Sequence, residues 1–387
     1  MPNYLTLFKF KYWLQMDSSN LILSFSISLF IIIMNESIVP TLGCFDRIII
    51  FGDSISDTGN MYLLTGKPNT GIGALPYGET YFHNPTGRFS DGRLIVDFVA
   101  QQFGLPFLPP SVGGKTQEYF QKGVNFAVGG AAALNNSEFN IISGLNITTQ
   151  DNSLWVQLQS FKNLLPTIAQ GSDAATVMST SLVFVGEIGG NDYNRGLTTL
   201  VPLEKVQTWT PYVISAIGSA VNDLINLGAT TLVVPGNFPI GCAPVYLKLY
   251  QTNKSEDYDP QTGCINRLND FSVYHNNLLQ QELDKQRQLH QNAKIIYADY
   301  YGALLSVYQN ATKLGIQSPL FACCGAQDSK YHYSFNHGCG DKQSSVCADP
   351  LKSISWDGVH LTEASYHTIA DGIMDGPYTD PPLSKLC

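Results

Sequence analysis

The sequence predicts an α/β protein built on a parallel β-sheet with helices packed on both faces. Three observations carry that prediction. Short, continuously apolar runs recur at Arg47–Phe51 (RIIIF), Ser181–Val185 (SLVFV), Thr231–Val234 (TLVV) and Lys294–Tyr297 (KIIY). Runs of this kind suit strands buried on both faces. Helix-length segments with apolar residues at helical spacing lie between and beyond them: Leu94–Phe103, Leu154–Ile168, Pro211–Leu227, Ile265–Leu289 and Glu363–Ile373. The two kinds alternate, which implies right-handed crossovers into a parallel sheet. Gly123–Ala127 (GVNFA) is a further candidate strand.

No internal repeat, low-complexity tract or long linker interrupts this pattern, so one large domain is expected, enlarged by loops at Thr65–Ser90 and near Gln251–Gly263. With 44% hydrophobic and 14% charged residues, the chain is far from a disordered composition. Acidic residues exceed basic ones by 31 to 22, a formal charge of −9, and no basic stripe appears. Binding to a phosphate backbone has no electrostatic source, which excludes nucleic acid as a partner.

The amino terminus reads as a targeting segment. Leu21–Met34 (LILSFSISLFIIIM) is a mostly apolar stretch without a charge, preceded by Lys9 and Lys11 and followed by Thr41-Leu42-Gly43. It is short for a membrane span of about 20 residues and fits the core of a signal peptide. The competing reading is an uncleaved anchor, because the region before the core is long; Met16 would give a leader of more usual length. Residues 1–43 are therefore expected to be a signal peptide and 44–387 the folded domain, secreted to the cell exterior or the vacuole, without stable membrane association. Asn135, Asn146, Asn253 and Asn310 each head an N-x-S/T triplet, a candidate glycan acceptor in a secreted chain. All eight cysteines fall at or after Cys44, an even count that suggests disulfides. The alternative, zinc in the Cys323–Cys347 cluster, lacks a C-x2-C pair and ligand-spaced histidines. No metal or cofactor is expected.

An open parallel sheet places its ligand beyond the carboxyl ends of its strands. RIIIF is followed there by Gly52-Asp53-Ser54-Ile55-Ser56-Asp57-Thr58-Gly59-Asn60, and GVNFA by Val128-Gly129-Gly130-Ala131. SLVFV is followed by Gly186-Glu187-Ile188-Gly189-Gly190-Asn191-Asp192-Tyr193, and Trp356-Asp357-Gly358-Val359-His360 precedes the last helix. Serine becomes a nucleophile only when an oriented base takes its proton. His360 has Asp357 three residues before it, so Ser54, Asp357 and His360 can form a Ser-His-Asp set in the chain order Ser, Asp, His. Oxyanion donors would be the Ser54 N–H, a close-approach glycine and the Asn191 amide.

Each block alone has a plainer reading. Ser54 could cap a helix, Asp357 and His360 could sit on a surface turn, and the glycine pairs could be strand-end turns. His275 reads as packing or polar surface. Asp53 and Asp57 could suggest two-carboxylate glycosidase chemistry, but within one tight turn they fit loop hydrogen bonding better. The aromatic loop Tyr77–Phe89 could line a cleft or cover core. The order of the four blocks along the chain is what favours the joint catalytic reading.

Together the four blocks resemble the GDSL esterase/lipase family, the SGNH hydrolases, in its plant form. The likeness extends through Asn84–Arg93, Pro239-Ile240-Gly241-Cys242, Asp270–Asn276 and Trp356–Ala364. It implies a single-domain, flavodoxin-like three-layer fold and a secreted serine carboxylic ester hydrolase. By resemblance Ser54 is the nucleophile, Asp357 and His360 complete the triad, and Asn191 and a second-block glycine are oxyanion donors. That glycine is Gly129 or Gly130, with Gly130 preferred because Ala131 follows it. The blocks look most like members acting on soluble esters of alkaloids or phenolics. Acyl transfer at the same site, and lipase action on long-chain lipid esters, are the alternatives.

Overall fold

The structure, a computed structural model, describes residues 44–387. The segment expected to be a signal peptide lies outside the described residues. Five strands form the central sheet: β1 (Arg47–Phe51), β2 (Gly123–Asn125), β3 (Ser181–Val185), β4 (Thr231–Pro235) and β5 (Lys294–Ala298). Their order is β2-β1-β3-β4-β5 and every pairing is parallel. This is the flavodoxin-like doubly wound order, whose switch point lies between β1 and β3.

The side chains show why these runs become interior strands. Successive residues point to opposite faces, and both faces are covered. Ile49, Phe51, Val183, Val185, Leu232 and Val234 pack into one core. The helices on that side are Leu154–Ile168, Thr210–Asn226 and Asn266–Leu289. Ile48, Ile50, Leu182, Phe184, Val233 and Ile296 pack into the other. There the helices are Ile95–Gln102, Tyr300–Gln309 and Glu363–Asp375. The eight helices of eight residues or more are numbered in chain order: α1 (Ile95–Gln102), α2 (Asn136–Ser143), α3 (Leu154–Ile168), α4 (Gly190–Leu197), α5 (Thr210–Asn226), α6 (Asn266–Leu289), α7 (Tyr300–Gln309) and α8 (Glu363–Asp375). None among the described residues is long and apolar enough to cross a membrane.

The predicted strands and helices stand within a residue or two of their expected limits. Helices α2, α4 and α7 were not expected, nor was the antiparallel pair β6 (Cys324–Ala326) with β7 (Ser344–Val346). Helix α7 reads YYGALLSVYQ, rich in aromatic residues with weak helix propensity. What starts it is Asp299, whose side chain accepts the Gly302 N–H, a cap that only the fold makes evident. The eight cysteines form four disulfides: Cys44–Cys387, Cys242–Cys264, Cys323–Cys347 and Cys324–Cys339. The last two cross-link the β6–β7 region, which has only a small apolar cluster of its own.

The 84–93 segment joins the two ends of the chain. Arg88 makes a two-pronged ion pair with buried Asp97 on α1, at 2.8 and 2.7 Å. Arg93 meets Glu363 at 2.7 Å, and the Glu363 N–H donates to Asp91. The loop leading into α8, which carries His360, is thereby fixed against the loop that follows β1.

Candidate active site

Beyond Phe51 the ladder thins to a single bond, from the Val128 N–H to the Gly52 carbonyl, and side chains supplement it. The Gln157 amide on α3 accepts the Gly52 N–H at 2.9 Å and donates to the Gly52 carbonyl at 2.8 Å. Asp53 Oδ1 accepts the Ile55 N–H, which tightens the turn holding Ser54. Asp57 accepts four backbone N–H groups: Gly59, Asn60 and Met61 in its own segment, and Gly129 after β2. Asn60 donates to the carbonyls of Asn125 and Ala127, and Asp192 accepts the N–H groups of Ala133 and Leu134. The loops after β1, β2 and β3 are thus bonded into one block.

Against this block sits His360. Its Nε2 is 2.8 Å from Ser54 Oγ, and its Nδ1 is 2.7 Å from Asp357 Oδ2. Asp357 Oδ1 accepts the backbone N–H groups of Val359 and His360. Burial alone would raise the Asp357 carboxyl, but the His360 charge and these hydrogen bonds outweigh it and hold the group down at about 2. Asp357 therefore stays ionised at neutral pH. With a proton on Nδ1 directed at that carboxylate, Nε2 can accept the Ser54 proton. The Phe89 ring packs on the imidazole at 4.7 Å between centroids.

Gly129 and Gly130 have different work. A Cβ on Gly129 would stand 2.5 Å from the Phe89 ring, and the Gly129 N–H is committed to Asp57. Gly130 has φ +76°, the left-handed region, and faces the cavity. Among the described residues the N–H groups of Gly130 and Ser54 donate to no protein acceptor. Asn191 lies at the start of α4 and lines the same cavity. Its Nδ2 donates to Asp53 Oδ2 at 2.9 Å and to the Ala131 carbonyl at 3.0 Å. An oxyanion must therefore draw one amide proton away from Ala131 or share it.

Asp53 is also in contact with Glu187, and both are almost fully buried. Burial, then the neighbouring Glu187 charge, pushes Asp53 up, and burial pushes Glu187 up as well. The pair carries a proton at neutral pH. Their mutual hydrogen bond raises Asp53 and lowers Glu187, which also accepts the Gly190 N–H, so the proton belongs on Asp53, which can donate to Glu187. Local sequence gives no sign of this contact. Nor does it show the chain above Asn191, where Tyr246 donates to Asn194 Oδ1 and Asn194 donates to Asn191 Oδ1 at 3.2 Å.

The cavity beside Ser54 has a volume of about 340 Å³. Its far walls are Phe238, Ile240, Val245 and Tyr246 from the segment after β4, with Leu304 and Tyr308 from α7. No Lys or Arg is among its described lining residues. His275 is fully buried beside Tyr193, whose hydroxyl meets Nδ1 at 2.7 Å, so it is a packing residue. Among the described residues no cluster suited to a metal ion is found.

The family model for GDSL-like lipases/acylhydrolases matches residues 48–373. A GDSL esterase/lipase of Arabidopsis thaliana is 46% identical over 374 residues, covering 95% of this chain and 93% of that protein. Another from the same plant is 47% identical over 346 residues, covering 89% and 85%. Sinapine esterase of Brassica napus is 44% identical over 371 residues, covering 95% of each.

The buried proton has a measurable signature. A carboxyl raised by folding contributes stability that is present below its unfolded pKa and lost as pH rises through the folded one. For Glu187 that window runs from its ordinary 4.5 to about 7. Glu187→Gln keeps an acceptor for the Asp53 proton and has nothing to ionise at 187, so its melting temperature should gain on wild type as pH rises through that window. Parallel melting curves across the window would remove the shared proton from the site.

Proposed function

Because the chain belongs to the family of GDSL-like lipases/acylhydrolases and is a carboxylic ester hydrolase, we propose that Ser54, His360 and Asp357 carry its chemistry. The observation supporting this most directly is the contiguous pair of short contacts, Ser54 to His360 and His360 to Asp357. His360 Nε2 takes the Ser54 proton as Oγ attacks the ester carbonyl, while Asp357 holds the imidazole and stabilises the imidazolium. The N–H groups of Ser54 and Gly130 and the Asn191 amide receive the oxyanion. Protonated His360 then gives its proton to the leaving alcohol. In the second half, His360 takes a proton from water as it attacks the acyl-enzyme, then returns that proton to Ser54 Oγ as the acid leaves.

The substrates we propose are soluble esters of specialised metabolites, with acetyl, methyl or aromatic acyl groups on phenolic or alkaloid compounds. Three features support that choice: a cavity at the small end of ligand pockets, walls of Phe, Tyr and aliphatic side chains, and a relative named for its action on sinapine. With no Lys or Arg among its described lining residues, the cavity has no fixed counter-charge for an anionic substrate.

We also infer secretion, with residues 1–43 removed as a signal peptide. Cys44 bonds Cys387, and all eight cysteines are paired, as an oxidising compartment allows. Asn146 and Asn253 are exposed and Asn135 and Asn310 partly so, which leaves all four open to glycan transfer. Amino-terminal sequencing of secreted protein should find a start at or near Cys44; a start far upstream would favour a retained anchor.

Ser54→Ala or His360→Ala should lower kcat by about 10⁴-fold with folding intact. Asn191→Ala should lower it by roughly 10²–10³-fold with a smaller change in KM. Retention of more than about a tenth of wild-type turnover in either of the first two variants overturns the triad.

Substrate class is tested by kcat/KM across acetyl, butyryl, aromatic and long-chain esters, with emulsified triolein included. Short and aromatic esters should lead. Preference for the emulsified lipid by about tenfold or more would restore the lipase reading.

A further inference from the structure

Asp357 has one hydrogen-bond partner that no step above uses. The Tyr77 hydroxyl donates to Asp357 Oδ2 at 2.9 Å, the oxygen that also receives His360 Nδ1. We propose that Tyr77 is a positioning residue of the esterase site, which locks the Asp357 carboxylate and moderates its pull on His360. The inference rests on reading Ser54, His360 and Asp357 as the triad.

An ionised carboxylate offers about four lone-pair sites. Here all four are filled: two by backbone N–H groups, one by imidazole and one by the phenol. Tyr77 arrives from the 65–90 loop and is almost fully buried. Its ring meets Trp356 edge-on at 6.1 Å and packs with Cys323, Cys324 and Cys339. Phenylalanine would fill that space equally well, so packing does not account for the hydroxyl. A buried hydroxyl is costly unless bonded, and this one is bonded to the triad acid.

Burial, then the Asp357 charge, raises the Tyr77 phenol well above its ordinary range, so it stays a donor. The other titratable groups around the pair are Asp341 near Tyr77, Tyr333 and Tyr366 near Asp357, and Asp53 beyond His360. None is a cation, so only the imidazole and the phenol dipole temper Asp357 from side chains. Every hydrogen bond to a carboxylate spreads part of its charge. With the phenol in place, Asp357 holds the imidazole in register without over-stabilising the imidazolium. Without it, Asp357 stabilises the imidazolium more, and His360 becomes harder to deprotonate.

Tyr77→Phe removes one oxygen and keeps the ring. On the full chain, the acid limb of kcat/KM should move to higher pH by about half a unit to one unit. At the plateau kcat should fall by less than about 10²-fold, since Asp357 keeps its three other donors. The His360 Nδ1 proton resonance should move downfield as its bond to Asp357 shortens. A variant with wild-type acid limb, plateau and resonance makes Tyr77 a packing residue and overturns the proposal. Ser54→Ala, assayed alongside, separates the two readings: if it stays active the triad itself is wrong, and if it is silent the Tyr77→Phe result bears on Tyr77 alone.

Discussion

A parallel sheet runs out of ladder partners at its carboxyl edge, and in this protein the Asp57 carboxylate takes over their role. It gathers four backbone N–H groups from two loops. Burial raises this carboxyl to about 6 against the pull of those donors, which still leaves it ionised at neutral pH. Asn60, Asn125, Gln157 and Asp192 satisfy most of what remains. Unpaired buried amides would each carry a desolvation penalty, so the loops are held in the arrangement that satisfies them. That arrangement leaves the N–H groups of Ser54 and Gly130, both lining the cavity, without a protein acceptor among the described residues.

The same edge holds several buried carboxyl groups in different states, each set by what faces it. Asp57 and Asp192 are surrounded by backbone N–H donors and serve as ties. Asp53 faces Glu187, and two carboxylates so close must share a proton. Asp357 faces an imidazole and is held low. One residue type thus serves as cross-link, amide anchor and partner of an imidazole, because pKa follows environment more than identity.

Much of this was legible in the sequence, and the parts that were not share a cause. Strand β1, strand β3 and helix α3 have periodic or continuous apolar patterns that local reading detects. Ser54 and Asn191 sit in short blocks just after β1 and β3, where the sheet rule puts ligand-facing residues, while Asp357 and His360 sit in a short block just before α8. Tyr77 and Asp357 are 280 positions apart, and the Glu187–Asp53 and Tyr246–Asn194 contacts are likewise long-range. A single sequence leaves no periodic trace of such pairs. Disulfide connectivity was hidden for the same reason: adjacent Cys323 and Cys324 bond to different partners, Cys347 and Cys339.

Asp357 and His360, the proposed triad acid and base, lie on a segment that the apolar cores hold only in part. Cys323 and Cys324 donate their N–H groups to the carbonyls of Ser355 and Trp356, and the Trp356 N–H donates to the His360 carbonyl. The disulfides of Cys323 and Cys324 brace the strand making those bonds, while Trp356 and Tyr77 fill the space beneath. By contrast, the far cavity walls come from the segment after β4 and from α7, neither of which supplies the Ser54, Asp357 or His360 side chains. The proposed reacting groups and the cavity's far walls therefore rest largely on separate elements. Residues such as Phe238, Val245 and Leu304 can change the shape of the accepted ester while the bonds that orient Ser54 and His360 stay in place.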